Sequence, residues 1–264
     1  EEALGGRLED HFADFGPPIA AASIAQVHKA MVVEKDGTRR PVAVKILRPG
    51  VERRFRRDLD SYYFASRLVE RFYPPARRLR PTAVVDTLKA TTELEMDLRL
   101  EAAAISEMAD NIKGDLALPD GRFRVPTVDW RRTAKRVLTL EWIDGVGIAD
   151  RIKLEAAGHD CRRLGLTVLR SFLRHAMRDG FFHADMHQGN LFVDRDGRLA
   201  AVDFGIMGRL GHKERRFLAE ILYGFITRDY RRVAEVHFEA GYVPDTHRVE
   251  DFAQAIRAIG EPIH

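Results

Sequence analysis

Phe182-His183-Ala184-Asp185-Met186-His187-Gln188-Gly189-Asn190, followed thirteen residues later by Asp203-Phe204-Gly205, decides how this chain is read. An aspartate, an asparagine five residues on and a second aspartate thirteen beyond that can surround a nucleotide's terminal phosphate and its magnesium ions. Between the last two, Leu191-Phe192-Val193, an Asp196-Gly197 turn and Leu199-Ala200-Ala201-Val202 read as a hairpin that would carry both to one place. A lone Asp or Asn in a loop usually caps a turn. Three in this order, with a hairpin between two of them, point instead to metal and phosphate.

The spacing is that of a protein-kinase catalytic loop and its metal-binding Asp-Phe-Gly, and residues upstream fit it. Val42-Ala43-Val44-Lys45 sets a lysine on an apolar strand, where an ammonium is awkward unless it meets an anion. Lys45 would contact the α- and β-phosphates of ATP; the plainer alternative is an edge-strand lysine pointing to solvent. Its partner carboxylate is expected at Glu101, inside a stripe of Leu94, Leu98, Ile105 and Met108 on a helix over residues 81–112. If that helix is rotated, Glu101 falls at the stripe's margin instead. Where a Gly-rich phosphate loop would precede the lysine strand, the chain offers Ala20-Ala21-Ala22-Ser23-Ile24-Ala25-Gln26-Val27-His28, whose alanines restrict backbone freedom.

Composition narrows the class. The 264 residues are 45% hydrophobic and 31% charged, which fits a folded globular chain with room for one large domain or two lobes. A single cysteine, Cys161, excludes an intramolecular disulfide and, at the start of a helix, reads as an inert packed thiol. The formal net charge is only +3, yet ten arginines face four acids between Arg48 and Arg80, with Tyr62, Tyr63, Phe64, Phe72 and Tyr73 interleaved. The plain reading is a solvated helix face with an aromatic inner side; the sharper one is a surface for anionic lipid or an acidic partner. No nucleic-acid module accompanies the patch, so nucleic acid is not expected as a partner. No apolar run approaches the roughly 18 residues that span a bilayer. The chain begins without Met and ends at Glu261-Pro262-Ile263-His264 without an obvious finish, as the core of something longer would.

Strands are expected within 18–47, with Asp36-Gly37 as a hairpin turn, and again at 136–143, broken by Asp144-Gly145. Val125-Pro126 should open a short extended segment. Helices are expected from Val51 to Phe72, ended by Pro74-Pro75, and from Pro81 to Ile112. Another should run from Cys161 to Asp179, with a stripe of Leu164, Val168, Leu169, Phe172 and Met177 and a stop at Gly180; others span 213–225 and 230–239. His183 and His187 do not read as a zinc pair, because Gly189 makes a helix there unfavourable.

Taken with Glu95-Met96-Asp97, Glu101-Ala102, the Glu141-Trp142-Ile143-Asp144-Gly145 hinge and the alanine run, the chain resembles the UbiB/ABC1/ADCK (AarF-type) family of atypical, protein-kinase-like proteins over residues 17–245. The resemblance implies an α+β, bilobal protein-kinase-like fold. A small β-rich N-lobe over 1–143 would carry a helical insert (Val51–Ile112 region), and a mainly helical C-lobe would follow over 144–264. It implies ATP (or ADP) and Mg²⁺ as cofactors. Lys45 would hold phosphates, Glu101 would hold Lys45, Asp185 would orient the attacking group, and Asn190 and Asp203 would bind metal. Ala22, Ser23, Ile24, Ala25, Gln26 and Val27 would cover the phosphates, Glu141 and Ile143 would meet adenine through backbone groups, and Glu95 and Asp97 would be regulatory.

The implied role is an atypical kinase or ATPase supporting ubiquinone (isoprenoid quinone) biosynthesis at the cytoplasmic side of a membrane. The implied partners are nucleotide, anionic lipid, quinone-biosynthesis proteins and quinone-like phenols. The family's KxGQ helix would lie upstream and any membrane-anchoring segment after His264. Met186 and Gln188 stand where the family often has proline, which bears on loop stiffness more than on chemistry. Three other readings stay open: a true protein kinase, a nucleotide-gated scaffold without turnover, and an antibiotic-type phosphotransferase. Against the first, no long activation segment and no Ala-Pro-Glu follow Gly205. Against the last stand the alanine run and Glu95-Met96-Asp97.

Overall fold

The computed structural model describes residues 1–21, 24–114 and 123–263. They form two compact units, one of Glu1–His159 with His187–Gly205, the other of Asp160–Met186 with Ile206–His264. The layout is mixed α+β, with strands concentrated toward the amino terminus, as the residue patterns imply.

In the first unit, a short helix α1 (Leu8–His11) leads into β1 (Asp14–Ala21), β2 (Ala25–Val33) and β3 (Arg39–Leu47). These join β5 (Val137–Glu141) in an antiparallel sheet of order β1-β2-β3-β5. Side chains alternate across a strand. Val42 and Val44 therefore enter a core with Phe12, Ala30, Val32 and Val137, while Lys45 takes the other face, beside Val27 and Leu138 on its neighbours. Asp36 shapes the β2–β3 turn by accepting the Thr38 N–H at 2.9 Å, and Gly37 takes a positive φ of 84°. Strand β1 starts earlier than residue 18. It is an edge strand, and its register slips around Pro17 and Pro18, which supply no ladder N–H.

The insert begins with α2 (Val51–Phe72), after which Pro74–Leu79 tighten into a 3₁₀ turn. The helix expected over 81–112 is two helices, α3 (Pro81–Glu95) and α4 (Leu98–Lys113). Asp97 makes the break. Its backbone is extended (φ −116°, ψ 90°), its carboxylate accepts the Arg99 N–H at 3.2 Å, and Leu98 N–H leaves the helix to donate to Lys135 O. The break shifts the helical phase, so Leu94 is exposed while Leu98, Glu101, Ala102, Ile105 and Met108 are buried on one stripe.

A second sheet of this unit has the order β4-β9-β8-β6, from β4 (Phe123–Arg124), β6 (Gly145–Gly147), β8 (Leu191–Asp194) and β9 (Leu199–Ala201). Asp194 organises the β8–β9 turn by accepting the N–H groups of Asp196 and Arg198 at 3.0 and 2.9 Å, and Gly197 has φ 76°. The segment from Val125 is irregular, meeting β5 in isolated bridges at Val128–Leu140 and Ala134–Val137. A one-and-a-half-turn helix, α5 (Arg151–Ala156), follows β6.

In the second unit, α6 runs Cys161–Arg174, capped by the Asp160 carboxylate on the N–H groups of Arg162 and Arg163. It passes into a π turn at His175–Asp179 and stops at Gly180, whose φ is 67°. The expected single helix to Asp179 is thus widened at its end. In the regular helix Ser171 is buried and Leu169 exposed, and in the widened turn, where the extra residue rotates the face, His175 and Ala176 are buried while Met177 is half-buried. Strand β7 (Phe181–His183) pairs antiparallel with β10 (Met207–Arg209). Helices α7 (His212–Thr227), α8 (Tyr230–Glu239) and α9 (Val249–Gly260) follow, the last two closing over Tyr230, Val233, Ala234 and Ile256. Among the described residues no helix is long and apolar enough to cross a membrane.

Candidate nucleotide and metal site

Three stretches far apart in sequence meet at Lys45. Its Nζ donates to both Glu101 carboxylate oxygens, at 3.0 and 2.9 Å, and to Asp203 Oδ1 at 2.8 Å. Strand alternation aims Lys45 away from the valine core, and the α4 stripe presents Glu101 to it. Glu101 has only 6% of its side chain exposed, against 48% for Asp203. Desolvating an ion costs several kcal/mol, so a buried carboxylate persists as an ion only with close partners. Glu101 has two, the Lys45 ammonium and the Phe204 N–H.

The electrostatics follow from those burials. Burial pushes the Glu101 carboxyl above its ordinary value, with Lys45 opposing and the Asp203 charge adding to the rise. Burial alone would push the Lys45 ammonium down, but its two carboxylates together hold it above the usual lysine value. Asp203 loses some solvation too; Lys45 and the Gly205 N–H outweigh this and keep it below the usual aspartate range. Near neutral pH the cluster therefore carries a charged Lys45 beside an ionised Asp203 facing solvent.

Asp203 has φ 64°, a left-handed conformation uncommon for any residue but glycine, though asparagine and aspartate enter it more readily. Such a backbone persists where neighbours over-determine it. Here the Lys45 ammonium and the Gly205 N–H fix the carboxylate. Asn190 stands at the other end of the hairpin. Its carbonyl accepts the Val202 N–H at 2.9 Å, one residue before Asp203, and it closes a 3₁₀ turn over Gln188–Asn190 capped by His187 Nδ1 on the Gly189 N–H.

The ladder bond sets Asn190 and Asp203 at the two ends of one hairpin, and an amide oxygen and a carboxylate are both hard donors. Among the described residues no group of three or more His, Cys, Asp or Glu forms a metal cage. Magnesium suits such a pair, because it keeps waters and completes its shell with phosphate oxygens rather than an all-protein cage.

The remaining candidates are distributed around this cluster or apart from it. Ala25, Gln26 and Val27 open β2, Val27 beside Lys45 in the ladder, and Ile24 sits in the bend before them, its carbonyl accepting the Arg48 N–H. Ala22 and Ser23 lie outside the described residues. Glu141 ends β5; its N–H donates to Thr127 O at 2.8 Å, so a base would have to use its carbonyl, while Trp142 N–H goes to Pro41 O and Ile143 follows. Asp97 is the α4 cap, bound by the Arg99 side chain, and Glu95 ends α3 half-buried. Asp185 belongs to the second unit, two residues past β7, where its N–H donates to His183 Nδ1 at 3.2 Å. Sequence patterns did not reveal the direct Lys45–Asp203 contact or the Phe204 N–H on Glu101. The order of the motifs was the only signal for either.

The chain is similar to known proteins along its length. The ABC1 atypical kinase-like domain matches residues 1–237. A protein of Marinobacter nauticus named "Probable protein kinase UbiB" is 41% identical over 268 residues, covering 100% of this chain and 47% of its own length. A namesake from Xanthomonas oryzae pv. oryzae is also 41% identical, covering 99% and 48%. The chain thus spans about half the length of the curated relatives it matches. Among solved structures, that of Rv3197 with erythromycin from Mycobacterium tuberculosis superposes with a TM-score of 0.71 at 29% identity, covering 99% of this chain and 64% of that one. With the kinase-like fold expected from its motifs, the chain belongs to the ABC1 atypical kinase-like family.

Proposed function

We propose that this chain binds ATP with Mg²⁺ and acts as a UbiB-type atypical kinase or ATPase supporting isoprenoid-quinone (ubiquinone) biosynthesis at a membrane surface. One observation carries the reading: a buried carboxylate and an exposed one grip the same ammonium, Lys45, beside the hairpin that presents Asn190. Glu101 fixes the lysine, leaving Asp203 as the exchangeable partner. A phosphate would take over from Asp203 at Lys45, and the Asp203 carboxylate with the Asn190 side-chain oxygen would then hold the metal. Mg²⁺ held there would neutralise phosphate charge. Glu141, through its carbonyl, and Ile143 would receive the base, and residues 22–27 would cover the phosphates. Asp185 is assigned the attacking hydroxyl or water on its place in the motif. Glu95 and Asp97 are assigned a regulatory role on the family resemblance alone.

The short run from Gly205 to α7, residues 206–211, leaves little chain for docking a peptide substrate, which favours water or a small acceptor over a protein. The purified chain should hydrolyse ATP slowly, and faster when anionic vesicles and a phenolic quinone precursor are added together. Asp203→Asn should remove both rates. A rate indifferent to lipid and phenol, with labelled phosphate on a protein partner, would favour a protein kinase. Binding without turnover under every condition would favour a scaffold.

A further inference from the structure

Both ends of the hinge, residues 141–145, lead to one buried residue, Asp194, the first through the Arg124 side chain and the last through the strand ladder. Arg124, on the two-residue strand β4, donates through Nη2 to Glu141 Oε1 and through Nη1 to Asp194 Oδ2 at 3.2 Å. Glu141 begins the hinge, and its other oxygen accepts the Thr127 N–H at 3.1 Å. Asp194 ends β8, and its partner across the sheet is Gly145, the hinge's last residue. There the two backbones run so close that a Cβ on Gly145 would collide with Val193 O. Asp194 is 6% exposed, and Arg124 22%. Asp194 also holds the turn of the hairpin whose two ends lead to Asn190 and Asp203.

We infer that Arg124 is a positioning residue: its planar fork ties Glu141 to Asp194 and so sets the distance between the hinge and the metal-ligand hairpin. This deepens the nucleotide reading and rests on it, since one ligand of limited reach must span from a base at the hinge to phosphates at Asp203. Arginine suits the task because a single guanidinium can grip two carboxylates in a fixed plane, which a lysine cannot. Pairing with Glu141 and Asp194 outweighs burial and keeps Arg124 firmly charged. Nothing in the sequence patterns singles it out, because it acts 17 and 70 residues away from its partners.

The test separates a ligand that spans both ends from its two halves. In Arg124→Met, with Mg²⁺ present, ATP should bind about tenfold more weakly, the size expected of a supporting network, while adenosine and inorganic tripolyphosphate, which each engage one end, keep their affinities. Arg124→Lys, which retains charge but not the fork, should fall between and serves if the methionine variant does not fold. Amide exchange supplies an arm independent of nucleotide. The Glu141 and Trp142 N–H groups, bonded to Thr127 and Pro41, should exchange faster in either variant, while Val202, bonded to Asn190, should not. Equal weakening of ATP and tripolyphosphate, or unchanged ATP affinity, overturns the assignment. If the wild type binds no nucleotide the site reading fails instead, and unchanged hinge exchange would then overturn the staple on its own.

Discussion

Replacing Lys45 with methionine should cost about 3–5 kcal/mol of stability at pH 8, the range for stranding one member of a buried ion pair, and far less at pH 5. The pH dependence distinguishes this from lost packing. Glu101 is 6% exposed and already sits above its ordinary value of 4.5 with the ammonium beside it; without Lys45 only the Phe204 N–H opposes burial and Asp203, and the value rises further. A group whose folded value is raised contributes stability that is complete below its unfolded value and is lost as pH climbs through the folded one. Loss in the variant should therefore begin near 4.5 and grow by about 1.4 kcal/mol per pH unit until the folded carboxyl ionises. Urea denaturation at pH 5 and pH 8 measures it. The double variant Lys45→Met/Glu101→Gln should recover most of the loss at pH 8, because no buried charge then remains. A cost independent of pH, or no recovery, would mean the pair is not what holds α4 against β3.

Nucleotide should stabilise the wild type by about 2.7 kcal/mol at a hundredfold excess over its Kd, a rise of roughly 5–10 °C in melting temperature for a chain of this size. Asp203→Asn should abolish the Mg²⁺-dependent part of that rise. The amide still fits the left-handed backbone but supplies no charge for the metal. Its own stability should fall less than that of Lys45→Met, since Asp203 is half exposed and water solvates what remains. The comparison rests on ligand-induced shifts, so a lower baseline does not obscure it. Equal shifts in wild type and Asp203→Asn would remove Asp203 from the metal's ligands.

What could be seen in the sequence were features with a local period or a local turn. Lys45 declared itself by breaking an alternating apolar strand, and the hairpin between Asn190 and Asp203 by Asp196-Gly197 at its tip. Glu101 was found through a stripe whose first member, Leu94, does not belong to it. The 3.6-residue pattern ran on across Met96-Asp97 because an aspartate in mid-pattern looks like a solvated helix residue, whereas its carboxylate caps a new helix. The π turn at His175–Asp179 hid for a related reason: one extra residue in a turn moves the buried face without altering composition. Arg124 was invisible because two residues of strand carry no period, and its worth comes from carboxylates brought to it by two other strands.

A crystal structure of the chain with Mg²⁺ and a non-hydrolysable ATP analogue tests the central claim most directly. The phosphates should lie against Lys45, with Glu101 still gripping it, and the metal should touch both Asn190 and Asp203, the latter released from the lysine. A nucleotide bound elsewhere, or a metal bound while Asp203 stays on Lys45, would contradict the account.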